Sequence, residues 1–136
     1  MALTSDALGR VPLFADLKPK ELDRLRKSFK ERTFEAGETV MTQGGSGAGF
    51  FVIEAGTAVV TRGGNEVARL GPGEYFGEVA LIDGGARTAT VTAATELRCH
   101  GLASWDFRGI VESDGRIAWK LLQALPERLR KADASD

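Results

Sequence analysis

A chain of 136 residues, 43% apolar and 27% charged, is large enough for one globular domain with a real core and too small for two. Its formal net charge of −1 gives no overall field that would favour nucleic acid or an anionic membrane. Cys99 is the one cysteine, which excludes an internal disulfide and a cysteine metal cluster.

No apolar run approaches the roughly 18 residues that span a bilayer, and residues 1–10 lack a charged start followed by an apolar signal core. The expected location is therefore cytoplasmic. Val11-Pro12-Leu13-Phe14 is an apolar leading segment, and Lys18-Pro19 sets up a helix with Pro19 in its first turn. Leu22, Leu25 and Phe29 recur at i, i+3 and i+7, which predicts one apolar stripe on a helix from about Pro19 to Ser28. Arg24, Arg26, Lys27, Lys30 and Arg32 cluster here, but Glu21, Asp23 and Glu31 are interspersed. The pattern reads as a solvated helix face rather than a nucleic-acid site.

From Thr33 the period changes to two. Phe34 and Thr39-Val40-Met41-Thr42 read as strands separated by an Ala36-Gly37 turn. Gln43-Gly44-Gly45-Ser46-Gly47-Ala48-Gly49 lacks the Lys-Ser/Thr of a P-loop, and no helix pattern follows it, so it reads as a mobile hairpin connection. Phe50-Phe51-Val52-Ile53 is a buried strand, and Thr57 to Thr61 continues the sheet after Gly56. Arg62-Gly63-Gly64-Asn65-Glu66 is a strong hairpin signal before Val67 to Leu70. Leu70-Gly71-Pro72-Gly73 turns the chain, and Val91 to Ala93 and Glu96 to Leu102 complete the strands. Seventeen glycines spread between short alternating stretches indicate many tight turns, hence a closed or nearly closed antiparallel β-barrel or jelly roll.

The stretch from Gly73 to Val91 carries the chemistry. Val79 to Ile82 is long enough for about one helical turn, and Asp83-Gly84-Gly85 stops it. Arg87-Thr88-Ala89-Thr90-Val91 then returns as a β-branched strand. A helix start and a strand-borne arginine would face one small space. Unpaired amides at a helix start attract anions, and Gly77 has no side chain to block them. Arg87 supplies a guanidinium fork that matches two phosphate oxygens. Glu78 fits if the ligand also carries a hydroxyl, as a ribose cyclic phosphate does. The same residues also fit a helical turn with a Glu78–Arg87 surface salt bridge worth about 0–1 kcal/mol. Physics alone leaves both readings open.

Beyond the strands, Ser104 is a plausible N-cap for a short helix through Phe107 and Ile110. Asp114 would cap a last helix with Ile117, Leu121, Leu122, Leu125 and Leu129 on its apolar face. Arg128, Arg130 and Lys131 suit the negative end of that helix. Pro126 lies inside the pattern. It removes a backbone donor at a cost of about 3 kcal/mol, which predicts a kink or break that puts Leu129 on a separately oriented turn.

Phe76-Gly77-Glu78-Val79-Ala80-Leu81, followed by Arg87-Thr88-Ala89, resembles the phosphate-binding cassette of cyclic-nucleotide-binding domains. That family includes bacterial catabolite activator proteins, kinase regulatory modules and gated channels. Gln43-Gly44, Phe51 through Gly56 and Gly71-Pro72-Gly73-Glu74 are similar to the family as well, so the resemblance covers roughly residues 10 to 131. It implies a mainly β fold: an antiparallel β-barrel or jelly roll (double-stranded β-helix) with an N-terminal helix, a short phosphate-cassette helix and C-terminal helices. The expected organisation is a single cyclic-nucleotide-binding domain over 1–136, with a helical lead at about 10–30, the barrel at about 31–103 and C-terminal helices at about 104–131. The implied ligand-binding residues are Phe76, Gly77, Glu78, Val79, Ala80, Arg87, Thr88 and Ala89. In the family the residue matching Glu78 holds the ribose 2′-hydroxyl and the one matching Arg87 holds the cyclic phosphate. The final helix of related domains folds over the base as a lid, a role open to Leu125 and Leu129, although packing against the barrel explains them equally well.

The expected function is a stand-alone, non-catalytic cyclic nucleotide sensor that signals by moving its C-terminal helices to a protein partner or by self-association. The bacterial look of the chain favours cAMP over cGMP as ligand. No further cofactor and no metal are expected. A catabolite-activator-type regulator needs a long continuous dimer helix and a DNA-reading domain, so Pro126 and the end at Asp136 set the expectation against DNA binding. One alternative is an interaction module of the same fold that binds another small anion or none. A cupin-like metalloenzyme needs several histidines, and His100 is the only one.

Overall fold

A computed structural model describes residues 3–11, 14–45, 49–77 and 87–134, and of these the side chains at 124, 125 and 127–134 are outside the description. Ahead of the apolar segment at 11–14 stands a short helix, α1 (Ser5–Gly9), whose start is closed by the Ala7 N–H donating to Thr4 Oγ1 at 3.1 Å. Helix α2 (Pro19–Arg26) begins where expected, with Pro19 in the first turn. The Lys18 N–H donates to Glu21 Oε1 at 2.8 Å, so the third helical residue satisfies the cap's own backbone. Leu22 and Leu25 are buried from this helix, and Phe29 packs partly buried beside them.

Among the described residues the strands are β1 (Lys30–Phe34), β2 (Thr39–Met41), β3 (Gly49–Ala55), β4 (Ala58–Arg62), β5 (Asn65–Leu70), β6 (Tyr75–Phe76), β7 (Thr90–Ala93) and β8 (Leu97–Ala103). They pair antiparallel in two four-stranded sheets, ordered β1-β8-β3-β6 and β2-β7-β4-β5, which is the jelly-roll arrangement expected. The Gly63-Gly64 turn joins β4 to β5 across the Arg62–Asn65 pair. Both glycines have positive φ, 60° and 82°, as the twist of a two-residue hairpin demands. The continuous apolar run of β3 is explained by burial on both faces. Phe51 and Ile53 point into the space between the sheets, while Phe50 and Val52 face the helices.

Helices α3 (Ser104–Ser113) and α4 (Gly115–Ala134) follow β8. Phe107 and Ile110 of α3, and Ile117 and Leu121 of α4, join Leu8, Phe14, Leu22 and Leu25 in a second core over the outer face of the β3 sheet. Asp114 caps α4 as expected, its Oδ1 accepting from the Arg116 N–H at 3.0 Å.

Five expectations need correction. The glycine-rich stretch after β2 is not a hairpin, because β2 and β3 lie in different sheets; it carries the chain between them. Lys30, Glu31 and Arg32 belong to β1, not to a helix face, and Arg24 is tied to the α3–α4 junction rather than simply solvated. Arg87 precedes its strand, which starts only at Thr90, since its backbone is bonded to the loop after β2. Ser104 is the first helical residue, Ala103 occupies the cap, and no side chain closes that end. Finally, α4 runs through Pro126 without a break. Pro126 is exposed and the residue four earlier, Leu122, is 56% exposed, so solvent can reach the carbonyl that proline leaves unbonded.

Candidate functional site

Strand β6 sets the position of Gly77. Phe76 pairs with Phe51 in register and stacks on its ring at 5.2 Å, which brings the next residue against the start of β3. Gly77 has φ +90°. A Cβ there would lie 2.5 Å from the Gly49 carbonyl oxygen and 3.0 Å from Arg87 Nη1. Only glycine fits this conformation and this space.

Arg87 is fixed from its backbone outward. The Gly44 N–H donates to its carbonyl at 2.8 Å, and its own N–H donates to the Gly45 carbonyl at 3.1 Å. The residue is only 6% exposed, and Nε and Nη1 have no hydrogen-bond partner among the described residues. Loss of solvation pulls its pKa below the ordinary arginine value. A guanidinium stays charged in proteins, so an unpartnered buried one is costly unless an anion arrives. The arginine is therefore poised for an anion that reaches the Gly77 side.

Two cavities meet at Met41. The smaller, about 440 Å³, is lined by Phe76, Gly77, Thr88 and Ala89, with Val60 and Leu70 among its apolar walls. Four of the five described residues expected at the site thus share one cavity. Arg87, the fifth, packs against Gly77 and lines the larger cavity of about 740 Å³, beside Arg32, Phe34, Phe51 and Trp105. The guanidinium thus lines the larger space and lies against Gly77, which lines the smaller. We assign the site to the smaller one because it gathers the expected residues around an apolar wall, whereas size alone recognises nothing. Glu78, Val79 and Ala80, and the cassette helix with them, lie outside the described residues, as do the side chains of Leu125 and Leu129.

Thr88 is exposed, and its carbonyl accepts from Arg62 Nε at 3.1 Å. Arg62 was not singled out in the sequence, where it reads as a hairpin residue. Its role appears only once β4 is laid beside β7. Gln43 was read as part of a loose loop, yet its side-chain oxygen accepts from the Gly63 N–H and its backbone N–H donates to Thr90 Oγ1, both at 2.8 Å. It braces the rim near the cavity. His100 is buried, with Nε2 3.3 Å from Glu54 Oε2, and among the described residues no group of His, Cys, Asp and Glu could hold a metal ion. No described helix is long and apolar enough to cross a membrane.

The fold is a jelly roll in which a glycine-bounded cavity lies beside a buried arginine. Residues 31–114 match the sequence model of the cyclic nucleotide-binding domain, and the chain belongs to that family. It is 34% identical over 127 residues to the cyclic AMP receptor protein of Thermus thermophilus, covering 90% of this chain and 59% of that protein. It is 39% identical over 106 residues to the cAMP-dependent protein kinase regulatory subunit of Yarrowia lipolytica, covering 76% and 28%. The chain therefore spans less than two thirds of the length of these relatives. Among solved structures, the N-terminal domain of a transcriptional regulator from Streptomyces coelicolor superposes with a TM-score of 0.85 at 36% identity, covering 95% of this chain and 96% of that one.

Proposed function

We propose that the chain binds a cyclic nucleotide, cAMP in preference to cGMP, as a non-catalytic sensor. In this reading Arg87 grips the cyclic phosphate and the main chain at Gly77 approaches it closely. Glu78 accepts from the ribose 2′-hydroxyl, Val79 and Ala80 complete the cassette, and Thr88 and Ala89 close the opposite wall. The observation that carries it is the buried Arg87 guanidinium, two of whose nitrogens have no partner among the described residues, held against a glycine that no other residue can replace. The names of the Thermus and Yarrowia relatives, both cAMP proteins, support cAMP as the ligand. Output would pass through α3 and α4 to another protein surface or a second copy.

Titration calorimetry with cAMP, cGMP and 2′-deoxy-cAMP tests this. The expected order is cAMP first, with the deoxy compound clearly weaker because Glu78 loses its partner. No heat with either nucleotide at millimolar concentration sinks the assignment. Equal binding of the deoxy compound removes the role given to Glu78.

A second reading concerns output. The similarity to the N-terminal domain of a transcriptional regulator, together with a last helix that continues through Pro126, favours service as the effector part of a DNA-reading regulator. Fusing the chain to a DNA-reading domain and asking whether cAMP changes operator affinity distinguishes the two outputs.

A further inference from the structure

Gly101 stands within β8, where nothing in its backbone calls for glycine. Its φ lies outside the left-handed region, and it pairs in register with Lys30 of β1 on one side and Phe51 of β3 on the other. A glycine inside a strand loses more conformational freedom on folding than other residues and gives its neighbours no side chain to pack against. The position is explained by space. A Cβ on Gly101 would lie 2.9 Å from Phe51 Cε1 and 3.1 Å from its Cδ1, closer than side chains settle. At the other edge of the same ring, a Cβ on Gly49 would lie 3.3 Å from Cε2. The Phe51 ring therefore rests across two bare stretches of main chain.

Two paths lead from this ring to the turn at Gly77. The first runs through Phe76, the residue before Gly77, which pairs with Phe51 and stacks on it with centroids 5.2 Å apart and planes 22° from parallel. The second runs through Gly49, whose carbonyl oxygen lies 2.5 Å from the Cβ position on Gly77. Phe34 meets the same ring edge-on at 6.2 Å. A methyl group at position 101 must tilt or slide the ring, and whichever way it gives, the stack on Phe76 changes. Close-packed interiors pass such displacements on rather than absorb them.

We propose that Gly101 is a positioning residue for the cyclic phosphate: by leaving room for the Phe51 ring it fixes Phe76 and Gly49, and with them the main chain at Gly77 that faces the anion. The inference rests on the cyclic nucleotide reading above. Gly101 does not line the smaller cavity, to which the nucleotide is assigned, so its effect on affinity passes through Phe51.

The test compares the intact chain with Gly101→Ala, Phe51→Leu and the double variant, measuring the cAMP Kd by calorimetry and folding by thermal unfolding. Gly101→Ala is expected to raise the Kd about threefold to tenfold, the size of effect that residues in contact exert on one another. Phe51→Leu removes Cε1, the atom nearest the new methyl, and is expected to raise the Kd by itself because the stack on Phe76 is lost. Adding Gly101→Ala to Phe51→Leu should then change the Kd less than about twofold, a non-additivity that a general loss of stability does not produce. Gly109→Ala, where a Cβ meets nothing within 4 Å, is the control and should leave the Kd unchanged. Should Gly101→Ala fail to fold, Phe51→Leu still decides the matter, since an unchanged Kd there overturns the proposal. Without nucleotide, the Gly77 amide resonance of an isotope-labelled chain should move in Gly101→Ala and stay in place in Gly109→Ala. An unchanged Kd in a folded Gly101→Ala chain, or effects of the two substitutions that simply add, overturns the role of Gly101 while leaving the sensor reading intact. Failure of the intact chain to bind either nucleotide overturns the sensor reading, and an unmoved Gly77 amide in Gly101→Ala then overturns the positioning separately.

Discussion

Gly77 and Arg87 share one space: the position of a Cβ on Gly77 is 3.0 Å from the Arg87 Nη1 atom. That contact links the turn after β6 to the segment before β7, ten residues later in sequence. Gly77→Ala must push the guanidinium aside, collide with the Gly49 carbonyl and hold φ near +90° at once. Strain of this kind costs roughly 1–3 kcal/mol. Both the melting temperature and cyclic nucleotide affinity should fall. A variant that melts and binds like the original would show that the turn relaxes freely.

Arg87→Leu separates function from stability. Losing a charge-assisted contact to phosphate should weaken binding by about 1.5–3 kcal/mol, roughly a 10- to 150-fold rise in Kd. Stability should hold or rise, because a buried cation whose Nε and Nη1 have no partner among the described residues is replaced by an apolar side chain of the core type. Denaturant melts of both chains, run without nucleotide, check the second half. A large loss of stability would mean that Arg87 has a structural partner.

Acid should loosen the grip of α2 on α4. The hydrogen bond from Lys120, then that from the Lys18 N–H, hold the Glu21 carboxyl below its ordinary value of 4.5. A depressed folded-state pKa contributes stability that is present above the unfolded value and is lost as pH falls through the folded one. The original chain should therefore lose more stability than Lys120→Met as pH is lowered from 7 through the carboxylate range. Parallel pH curves for the two chains in thermal unfolding would rule out the pair as a contributor.

Pro126→Ala probes the last helix. With α4 continuous through this position, alanine restores a backbone donor to a helix that already exists. It should raise helicity by circular dichroism and stability by up to about 3 kcal/mol. No change in either would favour a chain that breaks at residue 126.

Local patterns were legible wherever one residue type has one physical use. The Gly63-Gly64 hairpin, the α2 start at Lys18-Pro19, the Asp114 cap and the two-faced β3 run all follow from backbone preference and period. At Pro126 the expected kink or break is overturned only as a break: the local cost is real, but exposure lets water take the bond it removes and the helix continues. The loop after β2 misled because glycines report freedom to turn and not the sheet to which the chain returns. Ser104 failed as a cap because good capping chemistry at a position does not fix which residue the helix begins on.

Residue types and spacing determined the antiparallel architecture and, through the resemblance they carry, the family, since short-range sterics and side-chain chemistry travel with the sequence. Only the tertiary structure decided that Arg87 is buried against Gly77, that Arg62 and Gln43 bond to the segment around Thr88 and Thr90, and that Glu21 and Arg24 contact the C-terminal helices. Those relations join residues ten or more positions apart, and their strength depends on burial and distance, which no local window of the chain contains.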